Sequence, residues 1–297
     1  MAGSLTPWMG LGPLFLLLAC SPADTVDGGS NGMDPLAWSV IEPGPLAVGH
    51  RLTETTYTDP TGVTLTIPID IWYPSNAESG GPAIYFGVVE DVHAYADADP
   101  APSVHEDGYP VLVFSHGSNL YGGSSAYLMR HFSSHGWVVA APTHVGNTMA
   151  EFGGGDCESD VASCRSMPVW VQRPHNISAA LEALANDEVL GDAVHMEEVV
   201  MAGFSYGAYD TWARAGGTIA RSTVVNACDA GAFDGGCTEA GIDALVSDLF
   251  DERVVAAIPM AGAHAFPFEA TGRSGLATPI MQISGTEDDD NPQWVWD

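Results

Sequence analysis

Ser205 stands between two glycines in Gly203-Phe204-Ser205-Tyr206-Gly207, and its flanks fit a serine nucleophile. Glu198-Val199-Val200-Met201-Ala202 before it reads as a short buried strand, and Ala208–Arg214 after it has helical composition. A G-x-S-x-G placed at a strand-to-helix turn holds its serine on a sharp, strained bend, with the hydroxyl clear of the sheet. The flanking residues pass so close to other backbone that only residues without a Cβ fit, which assigns Gly203 and Gly207 to the elbow. A bare serine hydroxyl is a weak nucleophile. It needs donors for the oxyanion, a histidine base, and an acid that orients the base.

Each helper has candidates in the sequence. The first oxyanion donor is the N–H of Tyr206, the residue after the nucleophile. The second is the N–H of Ser118 in Ser115-His116-Gly117-Ser118, on the loop that leaves the apolar strand Val111–Phe114. His116 is read as a support of that loop, and His144 as a satisfied loop histidine. The acid is sought past a late strand at Pro279–Ser284, in Gly285-Thr286-Glu287-Asp288-Asp289-Asp290-Asn291-Pro292. Asp288 is the choice, with Glu287, Asp289 and Asp290 beside it as alternatives and a solvated turn or a weak Ca²⁺ site as the other readings. The base should follow the acid, yet no His lies between Asp288 and Asp297. The final parallel strand and C-terminal helix are not found either. The expectation is a catalytic domain cut short, with its base beyond residue 297. His264 is the one His after the elbow and the in-chain candidate for the base.

The elements that must position these groups alternate. Arg51–Thr58 and Val63–Tyr73 predict an antiparallel hairpin at a sheet edge, around Asp59-Pro60-Thr61-Gly62. Ser75–Tyr109 reads as a surface excursion rimming a site, with an apolar stretch at Ala83–Val89. Strands are expected at Val111–Phe114, Trp137–Ala141, Val254–Pro259 and Pro279–Ser284. Helices are expected at Ser124–His135, Asn176–Asn186 and Gly241–Phe250, with Ile177, Ala180, Leu181 and Leu184 on one apolar face. A Cys-containing loop is expected after the elbow helix. Strand–helix alternation predicts an α/β, doubly wound, mostly parallel sheet in one domain. Phe204, Tyr206, Tyr209 and Trp212 are read as core first and as an apolar acyl pocket second.

Charge narrows the partners. The 297 residues carry 38 Asp+Glu against 8 Lys+Arg, a net charge of −30, and every basic residue is Arg. Such a chain is repelled by nucleic acid and by anionic membrane surfaces. Leu11–Ala19 is an apolar run too short to span a bilayer, and it ends in small residues. Leu17-Leu18-Ala19-Cys20 resembles a bacterial lipobox, with an ordinary cleaved signal peptide as the alternative. The expected organisation is residues 1–20 as export signal, 21–36 as flexible tether and 37–297 as catalytic domain. Membrane contact is then made only through a lipid on Cys20. Cys157/Cys164 and Cys228/Cys237 form two local pairs, which in an oxidising compartment read as disulfides. Metal binding fits less well, since the spacings are wide and no His lies near.

Pro110–Gly117, the strand ending Ala140-Ala141-Pro142, Arg173-Pro174 before a helix, Gly203–Gly207 and Gly285–Pro292 together resemble the α/β-hydrolase superfamily. The resemblance is to its dienelactone hydrolase-like branch, which includes the platelet-activating-factor acetylhydrolases and lies near the cutinases and polyester hydrolases. It runs from about Arg51 to Pro292. It implies Ser205 as nucleophile, Asp288 as acid, the N–H groups of Ser118 and Tyr206 as oxyanion donors, and a small or polymeric ester as substrate. Dienelactone hydrolases themselves use Cys where this chain has Ser205, which disfavours their substrate. No cofactor and no metal are expected. The alternatives are a non-catalytic surface lipoprotein that keeps the fold as a binding module, and a peptidase or amidase with the same machinery. Oligomeric state and acyl-chain length are not read from the sequence.

Overall fold

The computed structural model describes residues 35–153, 166–262, 265–274 and 276–287. The expectations for Cys20, Cys157, Cys164, His264 and Asp288 lie outside them, as does that for the export signal. In chain order the strands are β1 (Ala47–Thr58), β2 (Thr64–Ser75), β3 (Pro82–Tyr85), β4 (Val89–Ala96), β5 (Tyr109–Ser115), β6 (Val138–Pro142), β7 (Val194–Phe204) and β8 (Val254–Met260). The helices are α1 (Ala126–Ser134), α2 (Met149–Gly153), α3 (Met167–Ala185), α4 (Tyr206–Arg214), α5 (Arg221–Asp229), α6 (Glu239–Leu245) and α7 (Ala265–Arg273). No helix among the described residues is long and apolar enough to cross a membrane.

The strands form one mixed sheet in the order β3-β4-β1-β2-β6-β5-β7-β8. Pairs β6–β5, β5–β7 and β7–β8 are parallel, while β1–β2 and β2–β6 are antiparallel. β5 and β6 are continuous apolar runs because helices cover both faces of the sheet there, and every residue of β6 is buried. The predicted hairpin forms with Asp59 at its turn, but it sits inside the sheet, since β4 adds to β1 and β6 to β2. The edge belongs instead to the β3–β4 hairpin, within the stretch read as an excursion. Residues 279–283 run alongside β8, joined by bridges Ala257↔Ile280 and Met260↔Ile283. That is the place expected of the late strand.

The helix predicted at Asn176–Asn186 begins nine residues earlier, at Met167. Pro174 hid the first half, because proline in a helix interior has no N–H for the carbonyl four residues back. That carbonyl, on Trp170, accepts from the Tyr209 hydroxyl instead (2.9 Å). The predicted apolar face is real: Ile177, Ala180, Leu181 and Leu184 are fully buried against β5, β6 and β7. Part of the expected Cys loop is helical as α5, and Cys228–Cys237 is a disulfide that closes the segment between α5 and α6. The hairpin tip is tied to α3. Asp59 Oδ1 accepts from the N–H groups of Thr61 (2.8 Å) and Val63 (3.0 Å), and Oδ2 from Gln172 Nε2 (3.1 Å).

Candidate active site

β7 ends at Phe204 and α4 begins at Tyr206, leaving Ser205 alone in the turn. Its backbone sits at φ +54°, ψ −113°, a conformation that side-chain-bearing residues adopt only under constraint. The constraint is visible in both glycines. A Cβ on Gly203 would lie 2.1 Å from the Gly207 carbonyl oxygen, and one on Gly207 would lie 2.0 Å from that of Ser115. The Ser205 N–H donates to the Met260 carbonyl at the end of β8 (2.8 Å). A Cβ on Gly262 would meet Ala208 at 2.2 Å and the Ser205 carbonyl oxygen at 2.9 Å, so the turn after β8 presses on the elbow as well.

The loop after β5 comes to the same point. A Cβ on Gly117 would lie 3.2 Å from both the Ser205 Cβ and the Phe204 ring. Ser118, the next residue, is exposed, and Ser205 is half-buried. Tyr206 is the first residue of α4, at the positive end of the helix dipole. The structure brings Ser205, Ser118 and Tyr206 to one edge of the sheet. The aromatic residues divide: Tyr206, Tyr209 and Trp212 are core, while Phe204 is 41% exposed beside Ser205.

Beneath this edge lies a buried polar network that the sequence did not disclose as a unit. Asn176 Nδ2 donates to His144 Nδ1 (2.9 Å), which leaves the His144 Nε2–H to donate to Ser115 Oγ (2.9 Å). The Ser115 hydroxyl donates in turn to Asp210 Oδ2 (2.6 Å). Asp210 also receives Arg173 Nε (3.0 Å). By residue type alone Ser115, His144 and Asp210 could pass for a triad. The order is wrong for one, because the hydroxyl stands between imidazole and carboxylate and gives its proton to the carboxylate. All three side chains are also sealed from solvent. They are structural.

His116 and His144 take the supporting parts expected of them. His116 Nε2 accepts the His144 backbone N–H (3.0 Å), and its Nδ1–H donates to the Gly117 carbonyl (2.7 Å). Burial, then the Arg173 charge, push His116 well below the ordinary histidine range, outweighing the contact with Gly117. Burial, Arg173 and His116 do the same to His144. Both rings are therefore neutral. Burial pushes the Asp210 carboxyl up, with Arg173 and Ser115 pulling the other way. Arg173 and Asp210 carried only weak signals: an Arg-Pro pair ahead of a helix, and one acid among apolar residues five positions after Ser205. No group of three or more His, Cys, Asp or Glu that could hold a metal stands together among the described residues.

A family model described as Chlorophyllase matches residues 100–228, which include β5, β6, β7, the elbow and α4. No curated protein matches the chain. Among solved structures, the chain is similar to a ferulic acid esterase from Streptomyces cinnamoneus. The two are 22% identical, with 86% of this chain and 72% of the other covered and a TM-score of 0.56. The sheet order, the strand–turn–helix between β7 and α4, and this likeness agree on the fold: a mostly parallel α/β sheet of the kind found in an α/β-hydrolase structure.

Proposed function

We propose that the protein is a serine ester hydrolase with Ser205 as nucleophile. One observation carries the reading: a non-glycine residue at φ +54°, between a buried strand and a helix, locked by two glycines that tolerate no Cβ. Strain of this kind costs about 1–3 kcal/mol and persists where the surroundings impose it, commonly at functional sites. The Ser205 hydroxyl attacks the ester carbonyl, the Ser118 and Tyr206 N–H groups receive the oxyanion, and the alcohol leaves. Water then releases the acid from the acyl-enzyme. Asp288 is proposed as the acid that orients the base, and His264 is the in-chain candidate for the base itself. A neighbour named as an esterase and a family model named Chlorophyllase support an ester substrate, small or polymeric. The Cys228–Cys237 disulfide suits an exported protein, in keeping with the proposed signal and lipid attachment at Cys20.

The test is hydrolysis of a short-chain nitrophenyl ester. Turnover is expected in the protein that carries the base expected beyond residue 297, and is expected to be lost in its Ser205→Ala variant. Equal turnover in both would reject the assignment, and a protein that carries that base yet is inert toward esters would favour the binding-module alternative.

A further inference from the structure

Arg173 is 1% exposed in a chain with only eight basic residues, and it touches both halves of the proposed oxyanion hole. On one side its guanidinium carbon lies 4.4 Å from the centre of the Tyr206 ring, the residue that supplies one N–H. On the other side Nη2 donates to Ser115 Oγ at the end of β5 (3.1 Å) and to the carbonyl of His116, which opens the loop that carries the second N–H. A third arm reaches Ser118 itself: Nη1 donates to Asn147 Oδ1 (2.7 Å), and Asn147 Nδ2 donates to Ser118 Oγ (3.1 Å). Asp210, on the helix that begins next to Ser205, balances the charge through Nε (3.0 Å).

We propose that Arg173 is the positioning residue of the oxyanion hole. Its guanidinium fixes the Gly117–Ser118 loop relative to Tyr206, so that both N–H groups face one point beside Ser205. The role rests on the reading of Ser205 as nucleophile. It asks for Arg in particular, since a planar fork can serve Asp210, Asn147, Ser115 and the His116 carbonyl at once, while an ammonium group cannot. Burial explains why the fork is rigid. The residue is packed under the Tyr206 ring, and none of its partners is a flexible surface group.

The experiment is the reaction of the full chain with a fluorophosphonate, followed as separate binding (KI) and bond-forming (kinact) constants, with thermal melting measured alongside. Arg173→Lys keeps the charge opposite Asp210 and loses the fork. Its kinact is expected to fall by about 100-fold, the scale of a misplaced catalytic group, with KI nearly unchanged. Arg173→Met combined with Asp210→Asn removes both buried charges, so that neither is left unpaired, and is expected to show the same loss. Asn147→Ala keeps the ion pair, removes the acceptor of Nη1 and with it the link to Ser118, and is expected to lower kinact by about 10-fold. A merely structural Arg173 would lower melting and leave kinact of the folded protein alone. Variants that melt like the parent and react within twofold of its kinact would overturn the proposal. A parent chain whose Ser205 is not labelled would instead overturn the nucleophile reading, and the positioning role with it.

Discussion

At Ser205 the side chain and the backbone make opposite demands. The position calls for glycine on conformational grounds, at φ +54°, and holds serine. The strain relieved by Ser205→Gly, of order 1–3 kcal/mol, exceeds what glycine adds to unfolded-chain entropy, about 0.4–1 kcal/mol. Ser205→Gly is therefore expected to be about 1 kcal/mol more stable than the parent in chemical denaturation while losing ester turnover. A destabilised glycine variant would mean that the elbow is not strained. Ser205, Gly203 and Gly207 were legible in the sequence because a turn this tight admits so few residue types. Asp210 and Ser115 were not legible as partners. Nothing in their local spacing shows that two residues 95 positions apart meet at 2.6 Å.

Elements show where local rules were overridden. Pro174 breaks a helix in any reading of the sequence, yet α3 runs through it because the Tyr209 hydroxyl takes the place of the missing N–H. The β1–β2 hairpin was recognised from its turn, but its place inside the sheet depends on β4 adding alongside β1, a pairing with no signature in either strand alone. The segment between α5 and α6 is constrained differently, by the Cys228–Cys237 bridge. Closing a loop of this length restricts the unfolded chain by about 2–3 kcal/mol. Reduction without other change is expected to lower unfolding free energy by that amount, measured with and without a mild reductant. No change on reduction would show that α5 and α6 hold each other without the bridge.

For the molecule as a whole, the buried histidines set a pH limit. His116 and His144 are held well below the ordinary value of about 6.5, first by burial and then by Arg173. The unfolded chain therefore binds protons that the folded chain refuses. The stability these rings contribute is complete above about pH 6.5 and is lost as pH falls below it. With two rings the slope approaches about 2.7 kcal/mol per pH unit between pH 6 and 5, above the range where most carboxylates titrate. Urea denaturation at pH 7, 6 and 5 reads it directly, and equal stability at all three would contradict the neutral buried pair. Self-repulsion is the second whole-molecule effect. With a net charge of −30 the melting temperature is expected to rise as sodium chloride is raised from 10 to 500 mM and screens it. This acidity and the strand–helix order were plain in the sequence. The buried network was not, because it gathers residues from β5, α3, α4 and the loop after β6.

Ser205 is proposed as an activated nucleophile. The most direct test is a fluorophosphonate reaction of the intact protein, with the modified peptide identified by mass spectrometry. One phosphonyl group per chain is expected, on Ser205, and none in Ser205→Ala. A parent protein left unmodified, or modified at another residue, would contradict it.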